Sequence, residues 1–206
     1  MAIQEITGKI SGKYESGKRG VATVSTGNGD AGGVSYGTHQ LSSKAGTMQA
    51  FLKSSFGAPY KARFGDLLPG TKAFTDVYKA VAFEKPTDFA NAQFRYIAST
   101  HYGPQAKKLL ANGIDVDSRN VAVRECVFSV SVQYGPNTSL IVNALGAKFK
   151  GTDLDFINKV QNYRRDTVKT YFKSSSKAVQ DSVAGRADDE RTDLLALLKS
   201  STAMAK

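Results

Sequence analysis

Two carboxylates stand alone in a long acid-poor stretch of this chain. Glu15 and Asp30 are the only acidic residues between positions 6 and 65. Two carboxyls can divide acid and base work when their surroundings push their proton affinities apart. Glu15 follows Ile3, Ile6, Ile10 and Tyr14, whose spacing of three and four predicts one face of a helix ending near Gly17. A carboxyl in a last helical turn meets the negative end of the dipole, and packing beside Tyr14 would desolvate it. Both effects raise its pKa. A general acid needs that, being protonated near neutral pH. Asp30 lies in "GNGDAGGVSYGTHQ", residues 27–40, among Gly27, Gly29, Gly32 and Gly33. In an open turn, water and backbone N–H groups stabilise the ionised form, which suits a general base. Glycines cost backbone entropy. A sharp turn, or a polymer lying close to the backbone, would offset that cost. The residue types leave a plainer reading open, because an Asp in a glycine turn often serves the turn itself.

Other chemistries are poorly served. Cys126 sits in the apolar run VRECVFSVSV, which predicts a buried thiol rather than a nucleophile. His39 and His101 lie in unrelated contexts, and neither belongs to a HExxH-type motif. No metal and no cofactor is expected. His39 follows the glycine segment without an assigned proton role.

The elements that must hold the pair read as follows. VATVST (21–26) and VSYGTHQL (34–41) predict two short strands around the glycine-rich turn, with strand signals fading after Gln40. Helical patterns follow over 46–56, 71–83, 87–102, 118–135, 137–149, 153–172 and 188–199, with a break at Gly103-Pro104. The 118–135 segment is the most apolar and is predicted to be the central helix. Neither a repeat nor a low-complexity linker interrupts the chain. Segregated elements of this kind define an α+β class, and 206 residues suit a single domain.

Charge narrows the partners. The net charge is +10, and basic side chains outnumber acidic ones two to one over residues 1–110. A basic surface favours an anionic partner. The lysines and arginines form no dense cluster or nucleic-acid-binding motif. No apolar run approaches the roughly 18 residues of a membrane span, and the N-terminus lacks a signal-peptide stretch. The reading is a monomer made in the cytoplasm that another component delivers if it acts elsewhere.

"YESG" (14–17) followed by the glycine segment (27–40) resembles the chitosanase-like branch of the lysozyme superfamily. That branch includes phage endolysins and the peptidoglycan-cleaving domains of type VI secretion spike proteins. "SVSVQYG" (129–135) is similar to the helix end that faces the cleft in these proteins, and "GRADDE" (185–190) to a weaker feature near the C-terminus. The resemblance implies one lysozyme-like catalytic domain over 1–206, mostly helical, with a small β lobe at about 18–45 lining the cleft. It carries the general acid onto Glu15 and the second carboxylate onto Asp30. The hydroxyl that helps hold the attacking water falls on Ser35. Tyr36, Gln40, Gln133 and Tyr134 become candidates for lining the groove, with core or turn packing an equal alternative for each. The implied activity is an inverting muramidase that cuts the β-1,4 bond between N-acetylmuramic acid and N-acetylglucosamine, as a phage endolysin would. Two departures bear on substrate. Chitosanases commonly carry threonine where Ser35 stands, and their acidic residues for a cationic polymer are not evident here. A net charge of +10 would repel chitosan, whereas anionic peptidoglycan fits. The alternatives are a lytic transglycosylase using Glu15 alone, a chitosanase-type glycosidase, and a non-catalytic module binding cell wall or nucleic acid.

Overall fold

A computed structural model describes residues 6–15, 20–27 and 33–204. The chain divides into two compact units, one formed by residues 12–98 and the other by 1–11 with 99–206. Helix α1 (Lys9–Glu15) starts later than its predicted pattern, since Ile6 is buried but precedes the helix. Residues 1–5, including Ile3, lie outside the described part.

In the unit 12–98 the hairpin turns at a different place from the one expected. Strand β1 (Ser35–Tyr36) pairs antiparallel with β2 (Leu41–Ser42), Ser35 opposite Ser42 and Tyr36 opposite Leu41. The connection is Gly37–Gln40, not the glycine-rich segment. VATVST contributes a single bridge, Val24 to Tyr36. Ser25 N–H donates to the Ser35 carbonyl at 2.9 Å, and Gly37 N–H to the Thr23 carbonyl at 2.8 Å. The reason is local backbone chemistry. Gly37 and Gln40 both take positive φ, 75° and 52°, a conformation that tight hairpin turns require. The Gln40 amide closes the turn by donating to the Gly37 carbonyl at 2.8 Å. Gly37 could carry no side chain, because a Cβ there would come within 2.8 Å of the Tyr78 hydroxyl.

Four helices complete this unit: α2 (Thr47–Lys53), α3 (Ala58–Phe64), α4 (Lys72–Glu84) and α5 (Pro86–Ile97). The sequence pattern missed α3, whose proline sits in its first turn, where the missing N–H costs nothing. The core is aromatic. Tyr36, Phe51, Phe64, Phe74, Tyr78 and Phe89 are all buried, and the Tyr36 ring lies 5.2 Å from Phe74 and 4.8 Å from Tyr78. Offset and edge-on ring pairs of this kind add about 0.5–1.5 kcal/mol each beyond burial.

A π-helical turn (Ala98–Tyr102) follows α5, and α6 (Gly103–Ala111) starts where a break was expected. Pro104 again opens a helix instead of ending one.

In the second unit α7 (Val121–Tyr134) is the central helix, with every residue from Ala122 to Ser131 buried. A helix buried on every side is surrounded by the rest of its unit, in keeping with its being the most apolar segment of the sequence. Helix α8 (Leu140–Leu145) follows, then α9 (Asp153–Asp166), which opens with a Thr152–Asp155 capping box. The segment predicted as one helix to 172 is interrupted at Thr167 before α10 (Val168–Tyr171). Helix α11 (Lys177–Met204) runs for 28 residues, well beyond the predicted 188–199. The architecture is mostly helical with one two-stranded antiparallel sheet among the described residues, the α+β class read from the sequence.

Candidate functional site

Glu15 is the last described residue of α1. Its side chain, like the whole of Asp30, lies outside the described residues. The part of α1 that leads to Glu15 packs on the hairpin turn. At Gly12 an added Cβ would stand 2.9 Å from Thr38 Cγ2, so a larger residue would need one of the two to shift. Gly12, three residues before Glu15, therefore lies close against the hairpin turn.

Ser35 is held on both backbone sides by Ser25. Its N–H donates to Ser25 Oγ at 2.8 Å, and its carbonyl accepts from Ser25 N–H. The Ser35 residue is 6% exposed. Tyr36 was a candidate for the groove, and the structure corrects this. The residue is 0% exposed, and its hydroxyl pairs with Thr75 Oγ1 at 3.0 Å and accepts from Gly70 N–H at 2.8 Å. Its neighbour faces the other side of the strand, so Tyr36 anchors the hairpin to the aromatic core. Gln40 is half-buried and tied into the turn by its own amide. His39 stacks obliquely on Phe94 with centroids 6.1 Å apart. A pocket of about 300 Å³ is lined among others by Thr26, Gly27, Gly33, Ser43, Lys44 and Gly70.

Gln133 and Tyr134 end α7 in the other unit, above a buried ionic network. Arg164, fully buried on α9, donates to Glu190 on α11 at 2.5 Å, to Gln161 Oε1 at 3.1 Å and to Gln133 Oε1. Glu190 also accepts from Ser129 Oγ at 2.7 Å and from Arg186 Nε at 2.6 Å. The Arg164 guanidinium lies over the Tyr134 ring, 5.6 Å from its centroid. Burial pushes the Glu190 carboxyl up, but Arg164, Arg186 and Ser129 outweigh burial and hold it below its ordinary range. Burial also works against the Arg164 charge, and Glu190 more than restores it. Burial raises the Tyr134 hydroxyl, partly countered by Arg164. The Cys126 thiol is pushed up to about 12 by burial, so it is held as a thiol, matching its apolar setting.

Sequence reasoning singled out neither Arg164 nor Ser129. Arg186 and Glu190 lay within the weak "GRADDE" feature without a role. A signal was present. Ile157, Val160, Arg164 and Val168 fall at helical spacing, which puts an arginine on the apolar face. Ala187, Glu190 and Leu194 do the same for a glutamate. Opposite charges on two buried faces imply a pair.

These elements define an α+β protein of chitosanase-like fold. The crystal structure of native chitosanase from Bacillus subtilis MY002 matches with a TM-score of 0.60, covering 97% of this chain and 88% of that one at 16% identity. At such identity the likeness is one of fold. Residues 7–191 match the family of type VI secretion system spike protein VgrG3-like C-terminal domains, and the chain belongs to that family. It is 41% identical over 192 residues to the type VI secretion system spike protein VgrG3 of Vibrio cholerae serotype O1 (strain ATCC 39315 / El Tor Inaba N16961). The match covers 92% of this chain and 18% of that protein, so the chain spans less than a fifth of that relative's length. No helix among the described residues is long and apolar enough to cross a membrane.

Proposed function

We propose that this chain is a glycoside hydrolase that cuts the β-1,4 bond between N-acetylmuramic acid and N-acetylglucosamine in peptidoglycan. The observation that carries this reading is the family match over 7–191, a span holding Glu15, Asp30 and Ser35. The fold likeness to a chitosanase supports glycosidase chemistry, and the net charge of +10 favours an anionic polymer over cationic chitosan. Glu15 protonates the leaving oxygen. Asp30 activates a water that Ser35 helps to hold, and attack on the opposite face inverts the anomeric centre. Gln40, Gln133 and Tyr134 contact the sugar chain. Tyr36 acts only by anchoring the hairpin. The relative being a secretion spike protein supports delivery to the target wall by that apparatus, in place of the phage-endolysin route expected from sequence.

The test is digestion of purified peptidoglycan and, separately, of chitosan, with products weighed by mass spectrometry. Hydrolysis gives reducing muramic acid ends from peptidoglycan. Products lighter by one water would assign a lytic transglycosylase. Cleavage of chitosan alone would overturn the substrate.

A further inference from the structure

The pocket of about 300 Å³ lies wholly within the unit 12–98, at the open end of the hairpin. Its wall includes Val34, the residue before Ser35, and Ser43, whose N–H donates to the Val34 carbonyl at 2.8 Å. Ser43 is 8% exposed. Its carbonyl accepts from Gln49 Nε2 at 3.1 Å, but its hydroxyl meets no hydrogen-bond partner among the described residues. That hydroxyl faces two glycines of positive φ, 72° at Gly33 and 97° at Gly70. A Cβ at Gly33 would come within 2.7 Å of the Ser43 oxygen, and one at Gly70 within 3.3 Å. The space beside the hydroxyl is open because neither position carries a side chain.

Lys44 adds a charge to the same wall. Its stem crosses Gly33, with Cγ and Cδ 2.9 and 3.2 Å from where a Cβ would stand. The residue is exposed, and its ammonium has no ion-pair partner among the described residues. No acidic side chain lines the pocket among the described residues. A nearly buried hydroxyl without a partner forfeits hydration. A hydroxyl and an ammonium side by side supply donors and positive charge, which match an anionic oxygen. Charge-assisted bonds of that kind are about twice as strong as neutral ones.

We propose that this pocket is a subsite for a carboxylate carried by the wall polymer, with Lys44 as its counter-charge and Ser43 Oγ as a neutral donor. This rests on the peptidoglycan reading above and names the group by which the site would tell that polymer from a neutral one. N-acetylmuramic acid differs from N-acetylglucosamine by a lactyl ether that ends in a carboxyl group. That group is a free carboxylate where the peptide has been removed. Elsewhere it carries the stem peptide, which bears carboxylates of its own. Either source presents the same chemistry to Lys44 and Ser43.

The experiment uses the full chain with K44M, K44R and S43A, each checked for fold by its urea midpoint. The substrates are three forms of one wall glycan oligomer: peptide-free with lactyl carboxylates free, the same with those carboxylates capped as methyl amides, and one with stem peptides attached. Wild type should cleave a carboxylate-bearing form with kcat/KM about tenfold above the capped form. The free-lactyl arm or the stem-peptide arm then identifies the source. K44M should bring that preference down to about twofold or less, and K44R should keep it within about threefold of wild type, because charge carries the recognition. S43A should fall between. Equal rates on all three forms, or a full preference in folded K44M, overturns the proposal. A second readout does not depend on cleavage. N-acetylmuramic acid, muramyl dipeptide and the methyl amide of N-acetylmuramic acid are titrated while the backbone amide signals of Gly33, Ser43, Lys44 and Gly70 are followed by NMR. If wild type cleaves none of the three forms, the hydrolase reading fails on its own. Shifts at these residues with either acid and not with the amide would still uphold the carboxylate pocket. No shift with either acid overturns it.

Discussion

Around Tyr36, residues 12–98 are packed with rings and neutral polar groups. Tyr36, Phe74, Tyr78 and Phe89 share one core, and the hydroxyls of Tyr36 and Tyr78 end on Thr75, Gly70, Val21 and Gln93. Around Arg164 the other unit buries charge instead, with one arginine and one glutamate both 0% exposed as side chains and a second arginine on the same carboxylate. Each region supports a segment proposed to meet substrate, the hairpin in one case and the α7 end in the other. A neutral core tolerates the loss of a single hydroxyl, because the rings stay buried. An ionic core does not tolerate the loss of one partner, because the other is left charged and desolvated. The two regions should therefore fail in different ways.

The largest effect is expected at Glu190. Glu190→Ala leaves Arg164 buried without its counter-charge and should cost about 3–5 kcal/mol, read as a loss of urea midpoint. The pH dependence follows in sign. The folded Glu190 carboxyl is held below its ordinary 4.5, so its contribution is present above that value and is lost as pH falls through the folded pKa. Glu125 works in the opposite sense. Burial holds its carboxyl above 4.5, against the lowering effect of its Thr7 and Gly8 bonds and of Lys9. The stability it permits is present below 4.5 and is lost as pH rises through the folded pKa. E125Q should thus gain on wild type over that rise. A difference that stays constant from about pH 4 to 8 would contradict the assignment.

The next effect falls in the neutral region. Gly37→Ala meets a φ of 75° and the Tyr78 hydroxyl, and should cost about 2 kcal/mol or more. Tyr36→Phe removes one hydroxyl and leaves Gly70 N–H without its acceptor, at about 1–2 kcal/mol. If Tyr36→Phe proved as damaging as Glu190→Ala, the contrast between the two cores would collapse. The smallest effect belongs to the exposed Arg63–Glu84 pair, 2.7 Å apart. Arg63→Ala should leave the melting temperature unchanged within error, since exposed pairs contribute little.

Much of this organisation was legible in the chain. The central helix α7 announced itself as the most apolar segment of the chain, and α4, α5 and α9 by their periodicity. The α+β class followed from the order of strand and helix signals. What escaped reading escaped for physical reasons. Pro59 and Pro104 look like breakers but sit in first helical turns, so α3 and α6 were missed. The glycine segment drew the hairpin turn toward itself, while the turn actually uses Gly37 and Gln40. The polar first half of α11 has no apolar stripe to mark it. At the site, the carboxylates and Ser35 could be named from a motif. The Arg164–Glu190 pair showed only as one arginine and one glutamate on apolar helix faces, and the bonds of Glu125 to Thr7 and Gly8 join residues more than 110 positions apart and left no local signal.

The central claim is that Glu15 delivers the proton in a glycosidic cleavage. The most direct test is turnover of a soluble peptidoglycan oligosaccharide by wild type and by Glu15→Gln, with circular dichroism and urea midpoints confirming the fold of both. The account predicts an unchanged midpoint and a kcat lower by at least the roughly 10²–10⁴-fold that general-acid catalysis supplies. Near-normal turnover by a folded Glu15→Gln chain would contradict it.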